Sequence, residues 1–355
     1  MSRFLVERYQ SLDAYVPGEQ PSDMQYIKLN TNESPYPPPP GVIAAINSDE
    51  IEKLRLYPNP DGIRLIAKLA EFYNVLPENI IIGNGSDELL TFAFLAFCDK
   101  GRGVCFPDIT YGFYPVYAEL YGIPYEQIPI EEDFSINPAD YYSVAKNVVI
   151  ANPNAPTGIE LPQSEIEAIA RSNPNHVVLI DEAYVDFGAK SAVPLIGKHD
   201  NLLVMHTYSK ARSMAGARLA YAIGPEQLIE DLNKMKYSFN PYNVNRLTQV
   251  AGEVALREDA YYRDMRRKII DTRAYTVAKL RGFGFSMTDS TANFVFAKHP
   301  GIGGFELYAA LKERGILVRH LKKPRISDYL RITIGTPEQM DALFAAISDV
   351  LNGLR

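Results

Sequence analysis

Short apolar runs alternate with amphipathic segments from about residue 60 onward. Five runs, at 80–82, 104–106, 148–151, 177–180 and 202–205, are rich in β-branched residues and too short to form helices. Because none alternates apolar with polar residues, both faces of each strand should be buried, as in a parallel sheet covered by helices. An amphipathic segment at 162–171 predicts a helix, with Ser164 and Glu167 as a capping box. The alternation predicts an α/β fold with a mostly parallel, doubly wound sheet.

The last third of the chain has a different pattern. Residues 245–280 are predicted to form one long charged helix, and short strands of alternating character follow at 293–297, 316–319 and 329–334. This pattern predicts a smaller α+β domain. We therefore expect an N-terminal arm at 1–40 that joins the small domain, a large α/β domain at 41–245 and the small domain at 246–355.

Polar residues follow every one of the five apolar runs. The segments are GNGSDE after 82, PDITYGFY after 106, NPNAPTG after 151, DEAYVDF after 180 and HTYSKARSMAGAR after 205. In a doubly wound sheet, ligands bind outside the carboxyl ends of the strands. The five segments therefore predict one functional site at that edge of the sheet.

Composition and charge narrow the function classes. The chain has 355 residues, with 36 Lys and Arg against 43 Asp and Glu, and a net charge of −7. Without a long basic run, we expect no binding to nucleic acid or to anionic lipid. The five histidines never occur at metal-ligand spacing, so no metal site is expected.

The sequence shows no recognisable targeting signal. Its first ten residues lack the apolar core of a signal peptide, and no apolar stretch approaches the roughly 20 residues of a membrane span. Cys98 and Cys105 lie in apolar surroundings and are typical of buried thiols in a reducing compartment. We therefore expect a soluble, cytoplasmic protein.

Several reaction classes lack their motifs. The sequence has no GxGxxG, no GxxxxGK[ST] and no GxSxG, which argues against hydride transfer, phosphoryl transfer and serine hydrolysis. Lys210 follows an apolar run and, taken alone, is typical of a solvated loop lysine. A lysine can, however, form a Schiff base with a carbonyl cofactor. Pyridoxal 5′-phosphate also needs a carboxylate at its ring nitrogen, an aromatic face and a cradle for its phosphate.

The same segments offer each of these groups. Asp181 ends a strand, where a buried carboxylate needs a cationic partner such as a pyridinium. Tyr184 follows three residues later and can direct its hydroxyl at the phenolic oxygen, while Tyr111 can stack on the ring. The phosphate candidates combine a strand-to-helix turn with further donors, and they are Gly85, Ser86, Asp87, Ser209 and Arg218.

With these residues, the chain resembles the fold-type I pyridoxal-phosphate-dependent aminotransferases over nearly its whole length. The superfamily signals are PTG at 156–158, DEAY at 181–184 and TYSK at 207–210. Four further segments are similar to the histidinol-phosphate branch of that family: YVPG at 15–18, PYNVN at 241–245, ANF at 292–294 and LRITIGT at 330–336. The resemblance implies a large domain with the doubly wound sheet and a smaller α+β domain.

The resemblance also implies roles for the cofactor residues. Lys210 would bind the cofactor and move a proton, with Asp181 at the ring nitrogen and Tyr184 at the phenolic oxygen. Tyr57 would reach the cofactor phosphate from the partner subunit, so a homodimer would be needed for activity. The remaining cofactor residues would be those named above.

Substrate residues follow from the same resemblance. Arg331 would bind the carboxylate of the amino donor, and Arg319, Arg331 and Tyr15 would hold a substrate phosphate. Asn32 is placed with them as a substrate-binding residue. Arginine binds carboxylate and phosphate alike, so one pair can serve both half-reactions.

One position departs from the family pattern. The family usually has Asn directly before PTG, bonded to the phenolic oxygen, whereas this chain has Ala155. Asn154 or Asn152 is a candidate replacement, and Tyr184 acting alone is the alternative. We enter Asn154 as a cofactor-binding candidate.

The resemblance implies a specific reaction. The expected activity is transamination of L-histidinol phosphate with 2-oxoglutarate, giving imidazole acetol phosphate and L-glutamate in histidine biosynthesis. Alternatives are a threonine-phosphate decarboxylase-like lyase, a broader aromatic aminotransferase and, from another class, a non-catalytic sensor with this fold.

Overall fold

The computed structural model describes residues 3–353. In chain order its strands are β1 (Ile27–Lys28), β2 (Ile80–Gly83), β3 (Val104–Pro107), β4 (Tyr125–Ile128), β5 (Asn147–Ala151), β6 (Val178–Asp181), β7 (Leu202–Thr207), β8 (Ala220–Ile223), β9 (Ser286–Met287), β10 (Phe294–Lys298), β11 (Ile316–Leu317), β12 (Arg319–His320) and β13 (Leu330–Thr333). Its α-helices are α1 (Pro40–Ala45), α2 (Ser48–Glu52), α3 (Ile63–Tyr73), α4 (Ser86–Phe97), α5 (Phe113–Tyr121), α6 (Gln163–Ser172), α7 (Glu226–Phe239), α8 (Arg246–Arg257), α9 (Asp259–Gly282), α10 (Gly304–Glu313) and α11 (Pro337–Asn352).

A seven-stranded sheet forms the centre of the molecule, in the order β2-β8-β7-β6-β5-β3-β4. Its strands are parallel except β8, which runs antiparallel to both β2 and β7. The five predicted runs are β2, β3, β5, β6 and β7, which confirms the predicted α/β fold class. The prediction missed β4, whose first three residues are exposed at the sheet edge, and β8, a four-residue strand with two alanines.

Both faces of this sheet are buried, as expected for uninterrupted apolar strands. Alternate residues point to opposite sides, so that Ile80 and Ile82 join one apolar core while Ile81 joins the other. The first core is covered by α3, α6 and α8, and the second by α4, α5 and α7. Helices on both faces leave the strand ends as the place where the sheet can expose polar groups.

The C-terminal strands form a separate antiparallel sheet in the order β12-β13-β10-β9. Next to it, β1 from the N-terminal arm pairs in parallel with β11, and Leu29 is buried in the same apolar core as Ile332. The three predicted C-terminal strand segments therefore exist. The predicted 316–319 segment is divided into β11 and β12, which belong to different sheets. The domain boundaries themselves stay a prediction.

The helix expected at 162–171 forms, but its capping box was wrong. The helix begins at Gln163, and Pro162 occupies the N-cap position without a side-chain hydrogen bond. Ser164 is therefore already the second helical residue, too far into the helix to cap its first turn. No helix among residues 3–353 is long and apolar enough to cross a membrane.

The single long helix expected at 245–280 was also wrong, because the segment forms α8 and α9 with a break at Glu258. Glu258 has φ −96° and ψ 29°, outside helical geometry. At the break, buried Arg212 donates Nη1 to the carbonyl of Ala255 at 3.1 Å and Nη2 to Asp259 Oδ1 at 2.9 Å. The guanidinium thus supplies hydrogen-bond donors both to the last turn of α8 and to the first residue of α9.

Replacing this arginine should destabilise the fold. Arg212→Ala removes the only side-chain donor described for the Ala255 carbonyl within residues 3–353 and leaves a cavity between aromatic rings. We expect the free energy of unfolding to fall by about 2–4 kcal/mol, measured by urea denaturation at fixed protein concentration. The control is Arg267→Ala, whose exposed pair with Asp264 should contribute less than about 1 kcal/mol. Equal losses in the two variants would contradict this account.

Candidate active site

A cavity of about 410 Å³ opens at the carboxyl ends of the large sheet. Ala151, Asp181 and Thr207, the last residues of β5, β6 and β7, form part of its wall. The structure brings most of the predicted residues to this cavity, namely Ser86, Asp87, Tyr111, Asp181, Tyr184, Ser209, Lys210 and Arg218. The N-terminal arm closes another side of it through Pro17, Gly18 and Thr31.

Asp181 is a buried carboxylate without a cationic partner among the described residues. Its Oδ2 accepts a hydrogen bond from the Tyr114 hydroxyl at 3.1 Å, and its Oδ1 accepts one from the Ala183 amide at 3.3 Å. Burial raises the pKa of Asp181 to about 6, although both hydrogen bonds act in the opposite direction. A cation placed in the cavity would favour the ionised carboxylate.

Lys210 lies in the same cavity, directly after β7. Its Nζ donates to the main-chain carbonyl of Thr31 at 3.1 Å and lies 5.8 Å from the ring centre of Tyr184. The arm residue therefore holds the amino group at the cavity wall through a neutral acceptor. No carboxylate within residues 3–353 forms an ion pair with Lys210, so no salt bridge ties its amino group away from a ligand in the cavity.

The N-terminus of α4 provides an anion site at one end of the cavity. Gly85 stands at the N-cap with φ +86°, and a Cβ built on it would lie 2.5 Å from Arg218 Nη2. Glycine is therefore required for the close approach of Arg218 to the helix. The first N–H groups of the helix have no partners within the helix and carry its positive dipole end.

The Asp87 carboxylate is neutralised by its neighbours rather than presented to an anion. It accepts from the hydroxyls of Tyr111 and Tyr117, at 2.9 and 3.4 Å, and pairs with Arg218 Nη2 at 3.2 Å. The Ser209 hydroxyl accepts from Thr207 Oγ1 at 2.9 Å, which leaves its own proton available for the cavity. This end of the cavity thus offers donors to a phosphate.

Tyr184 faces the cavity from the segment after β6. Its hydroxyl accepts a hydrogen bond from the side-chain amide of Asn32 at 2.9 Å. Asn32 itself is buried and does not line the cavity. The structure therefore places Asn32 behind Tyr184, one layer away from the substrate position expected from the sequence.

Two arginines stand directly opposite each other on neighbouring strands beside the cavity. Arg319 of β12 and Arg331 of β13 are register partners. Arg319 donates to the carbonyls of Val16 and Pro17, and Arg331 donates to the carbonyl of Asn30 at 3.0 Å. Burial lowers the pKa of Arg331 from its ordinary value, and the Arg319 cation acts in the same direction. Like charges at a cross-strand pair are unfavourable, so this pair is suited to an anionic ligand.

Tyr15 is held near these arginines by aromatic contacts. Its ring stacks on Phe113 at 4.6 Å and lies 6.0 Å from the ring of Tyr111. Burial raises the pKa of the Tyr15 hydroxyl, while Arg331 and Arg319 oppose that shift. The hydroxyl therefore stays protonated at neutral pH and available as a donor.

Two predicted cofactor residues are not brought to the cavity of this chain. The side chain of Asn154 is buried and bonded to Thr110 Oγ1, the Ile109 carbonyl and Thr157 Oγ1, at 2.8, 2.9 and 3.2 Å. These hydrogen bonds tie the Asn154 amide to the surrounding loop. The geometry therefore gives no support to Asn154 as a replacement for the asparagine that is missing at position 155. Tyr57 is 77% exposed on the surface, where it stacks on Tyr242 at 4.5 Å.

The alternative amide, Asn152, is also committed elsewhere. Its side chain exchanges hydrogen bonds with the main chain of Leu161, at 3.0 and 2.7 Å. Ala155 lines the cavity with a methyl group instead. The wall at this position is therefore apolar.

Sequence reasoning missed three residues that shape the site. Tyr114 donates to Asp181, Thr31 accepts from Lys210, and Thr207 orients Ser209. Tyr114 and Thr207 lie within segments already singled out after two of the strands. Thr31 acts through its main-chain carbonyl, which no side-chain pattern can reveal.

These residues fit pyridoxal 5′-phosphate. A buried carboxylate without an ion pair matches a protonated ring nitrogen, a lysine without an ion pair matches the aldehyde, and the α4 N-terminus with Arg218 matches the phosphate. Tyr111 contributes an aromatic ring to the wall of the same cavity.

Comparisons with known proteins give one family. The family model described as "Aminotransferase class I and II" matches residues 24–347. The histidinol-phosphate aminotransferase of Marinomonas sp. (strain MWYL1) is 52% identical over 350 residues, covering 98% of this chain and 99% of that protein. That of Brachyspira hyodysenteriae (strain ATCC 49526 / WA1) is 47% identical over 352 residues, covering 99% of each.

A solved structure shares the fold. The histidinol-phosphate aminotransferase from Sinorhizobium meliloti in complex with pyridoxal-5′-phosphate has a TM-score of 0.86 to this chain at 23% identity. The match covers 93% of this chain and 92% of that one. At this identity the likeness concerns the architecture alone.

The raised pKa of Asp181 predicts that ionisation of this carboxyl costs the cofactor-free protein stability, by an amount that depends on pH. Between its unfolded pKa of about 4 and its folded pKa of about 6, the unfolded state releases the proton first, so stability falls as pH rises through this window. Asp181→Asn removes that cost. We expect a higher melting temperature than the parent at pH 7.5, and no difference near pH 3.5.

The control for this experiment is Asp264→Asn, which changes an exposed carboxylate. Its free energy of unfolding should stay within about 1 kcal/mol of that of the parent at every pH in the same range. A constant offset between Asp181→Asn and the parent at all pH values would contradict the burial of an ionisable carboxyl.

Proposed function

The chain belongs to the class I and II aminotransferase family, and we propose that it transfers the amino group of L-histidinol phosphate to 2-oxoglutarate. The products are imidazole acetol phosphate and L-glutamate, and the cofactor is pyridoxal 5′-phosphate. The reaction belongs to histidine biosynthesis. The observation that carries this proposal is a single cavity holding Lys210 and Asp181, with Arg319 and Arg331 beside it.

We assign the chemical roles from the family resemblance, and the geometry of the cavity supports them. Lys210 Nζ binds the cofactor and afterwards carries the proton to and from the substrate α-carbon. Asp181 keeps a proton on the ring nitrogen, and Tyr184 donates to the phenolic oxygen. Bound in this way, pyridoxal phosphate supplies an electron sink for the electron pair of the broken C–H bond.

The phosphate end of the cofactor is assigned to the turn before α4. The N–H groups of Ser86 and Asp87, the Ser209 hydroxyl and the Arg218 guanidinium are the donors there. This assignment makes Asp87 a main-chain donor, with its carboxylate retained by tyrosine hydroxyls and Arg218. Gly85 permits the approach of Arg218.

The arginine pair accounts for the anionic substrates. Arg331 binds the carboxylate of glutamate, and Arg319, Arg331 and Tyr15 bind the phosphate of histidinol phosphate. Arg331 Nε is buried with no hydrogen-bond partner within residues 3–353, so the contacts to the N-terminal arm do not use all the donors of this guanidinium. Either anion relieves the repulsion between the two guanidinium groups.

We propose a homodimer in which Tyr57 enters the partner's site. The main-chain carbonyls of the loop at 57–60 accept hydrogen bonds from side chains of the same chain. Arg246 donates to Tyr57, Gln249 to Asn59 and Lys236 to Pro60, at 3.3, 2.9 and 3.1 Å. Exposed apolar side chains surround the loop in the sequence, at Ile43, Ile46, Ile51, Leu54, Leu56 and Ile63. Six exposed large apolar side chains within this short stretch of sequence favour an interface between chains.

The remaining expectations are kept as proposals. We place the protein in the cytoplasm, on the ground that Cys98 and Cys105 are free thiols, which suit a reducing compartment. We also keep the arm at 1–40, the large domain at 41–245 and the small domain at 246–355.

Lys210→Ala tests the catalytic assignment. The variant should bind pyridoxal phosphate without the visible band of a lysine-bound cofactor, and turnover should fall by at least about 1,000-fold because the nucleophile and proton carrier are lost. The readouts are the absorption spectrum and product formation from histidinol phosphate. Lys190→Ala, an exposed lysine outside the cavity, is the control and should keep both. Normal turnover by Lys210→Ala would overturn the assignment.

Subunit mixing tests the role of Tyr57. Tyr57→Ala and Lys210→Ala proteins should each be impaired, and their mixed dimer should contain one complete site, made of Lys210 from one chain and Tyr57 from the other. After random exchange of subunits, about a quarter of the sites should be complete. Activity that rises toward this level supports action across the dimer. Activity equal to the sum of the separate variants would contradict it.

A further inference from the structure

Ala155 leaves the cavity with one fewer donor toward a phenolic oxygen, which makes the Tyr184 hydroxyl unusually important. Asn152 and Asn154 are bonded elsewhere, and Ala155 presents a methyl group. A tyrosine hydroxyl has only one proton to donate. The direction in which that proton points therefore decides whether the cavity has this donor.

Asn32 settles the direction of the Tyr184 proton. Its Nδ2 donates to the Tyr184 oxygen at 2.9 Å, so the hydroxyl acts as acceptor in this contact. Within residues 3–353 the Tyr184 hydroxyl has no second hydrogen-bond partner. Its own proton is thus left for a group in the cavity, which Tyr184 lines.

The orientation of the Asn32 amide is fixed by its other contacts. Thr333 Oγ1 accepts from the Asn32 main-chain N–H and donates to Asn32 Oδ1, both at 3.0 Å. In this arrangement the amide oxygen of Asn32 lies toward Thr333 and its NH₂ group lies toward Tyr184. Asn293 Nδ2 also donates to the main-chain carbonyl of Asn32 at 3.0 Å.

The backbone explains why asparagine stands at this position. Asn32 has φ +56°, in the left-handed region that asparagine and glycine tolerate better than other residues. Asparagine alone of these two carries a side-chain donor. The position thus combines a turn requirement with a hydrogen-bonding one.

We infer that Asn32 is a positioning residue that aims the Tyr184 hydroxyl into the cavity and so compensates for the amide absent at Ala155. This inference rests on the proposed pyridoxal-phosphate function, and it replaces the direct substrate contact expected for Asn32 from the sequence. A donor at the phenolic oxygen stabilises its negative charge and weakens its hold on the proton of the lysine-bound nitrogen. Loss of the donor must therefore raise the pH at which the visible band of the holoenzyme changes.

The experiment is a pH titration of the visible band in the loaded enzyme. Asn32→Gly removes the amide and keeps the left-handed backbone unstrained. We expect its midpoint to rise by about half to one pH unit, the equivalent of one hydrogen bond. Thr333→Val is a second variant, which loosens the Asn32 amide without touching Tyr184, and its midpoint should rise by a smaller amount. Unchanged midpoints in both would overturn the inference.

Two double variants separate positioning from general damage. Asn32→Gly combined with Tyr184→Phe should have the midpoint of Tyr184→Phe alone, because Asn32 acts through that hydroxyl. Asn32→Gly combined with Ala155→Asn should return toward the parent midpoint, because a donor is restored from another side. Additive shifts in the first, or no return in the second, would contradict the inference.

Asn173→Ala provides the matched control. Asn173 is a buried asparagine outside the cavity, and its side chain donates to the main-chain carbonyls of Tyr141 and Ile169 at 2.8 and 2.9 Å. Its midpoint should equal that of the parent. A parent protein that gives no visible band with pyridoxal phosphate would overturn the proposed function itself, whereas a normal band with unmoved midpoints would overturn only the role of Asn32.

Discussion

The site depends on a buried carboxylate that forms no ion pair within residues 3–353. Asp181 closes β6 in the centre of the large sheet, and its two hydrogen bonds come from the neutral groups of Tyr114 and Ala183. Burial alone therefore leaves its charge unfavourable, which appears as a pKa of about 6. A cationic ring nitrogen completes this environment, so cofactor binding and the stability of the ionised Asp181 are linked.

The N-terminal arm organises the other side of the cavity with main-chain carbonyls. Thr31 accepts from Lys210, Asn30 accepts from Arg331, and Val16 and Pro17 accept from Arg319. Neutral acceptors hold these side chains in place without forming ion pairs, which leaves the charges of the two arginines available to a carboxylate or phosphate ligand. The pairing of β1 with β11 fixes the arm beside the strands that carry both arginines.

The sequence predicted the elements whose signal is local. Five uninterrupted apolar runs gave the parallel strands, and the polar segments behind them contained Lys210, Asp181 and Arg218. What it missed depends on tertiary contacts: the break at Glu258 involves Arg212 from a distant loop, and β8 is short and alanine-rich. Asn154 was a candidate because of its neighbours in sequence, but its amide is used by the loop around Thr110 and Thr157. Asn32 acts through Tyr184, a relation that only the folded chain reveals.

The most direct measurement is a titration of the visible band of the holoenzyme with three amines in separate samples, without an amino acceptor. The account predicts that L-histidinol phosphate bleaches the band at far lower concentration than L-phenylalanine or O-phospho-L-threonine, and that 2-oxoglutarate restores it. The arginine pair beside the cavity is the physical reason for the preference over L-phenylalanine, which has no phosphate. Equal bleaching by phenylalanine, or release of carbon dioxide from phosphothreonine, would contradict the account.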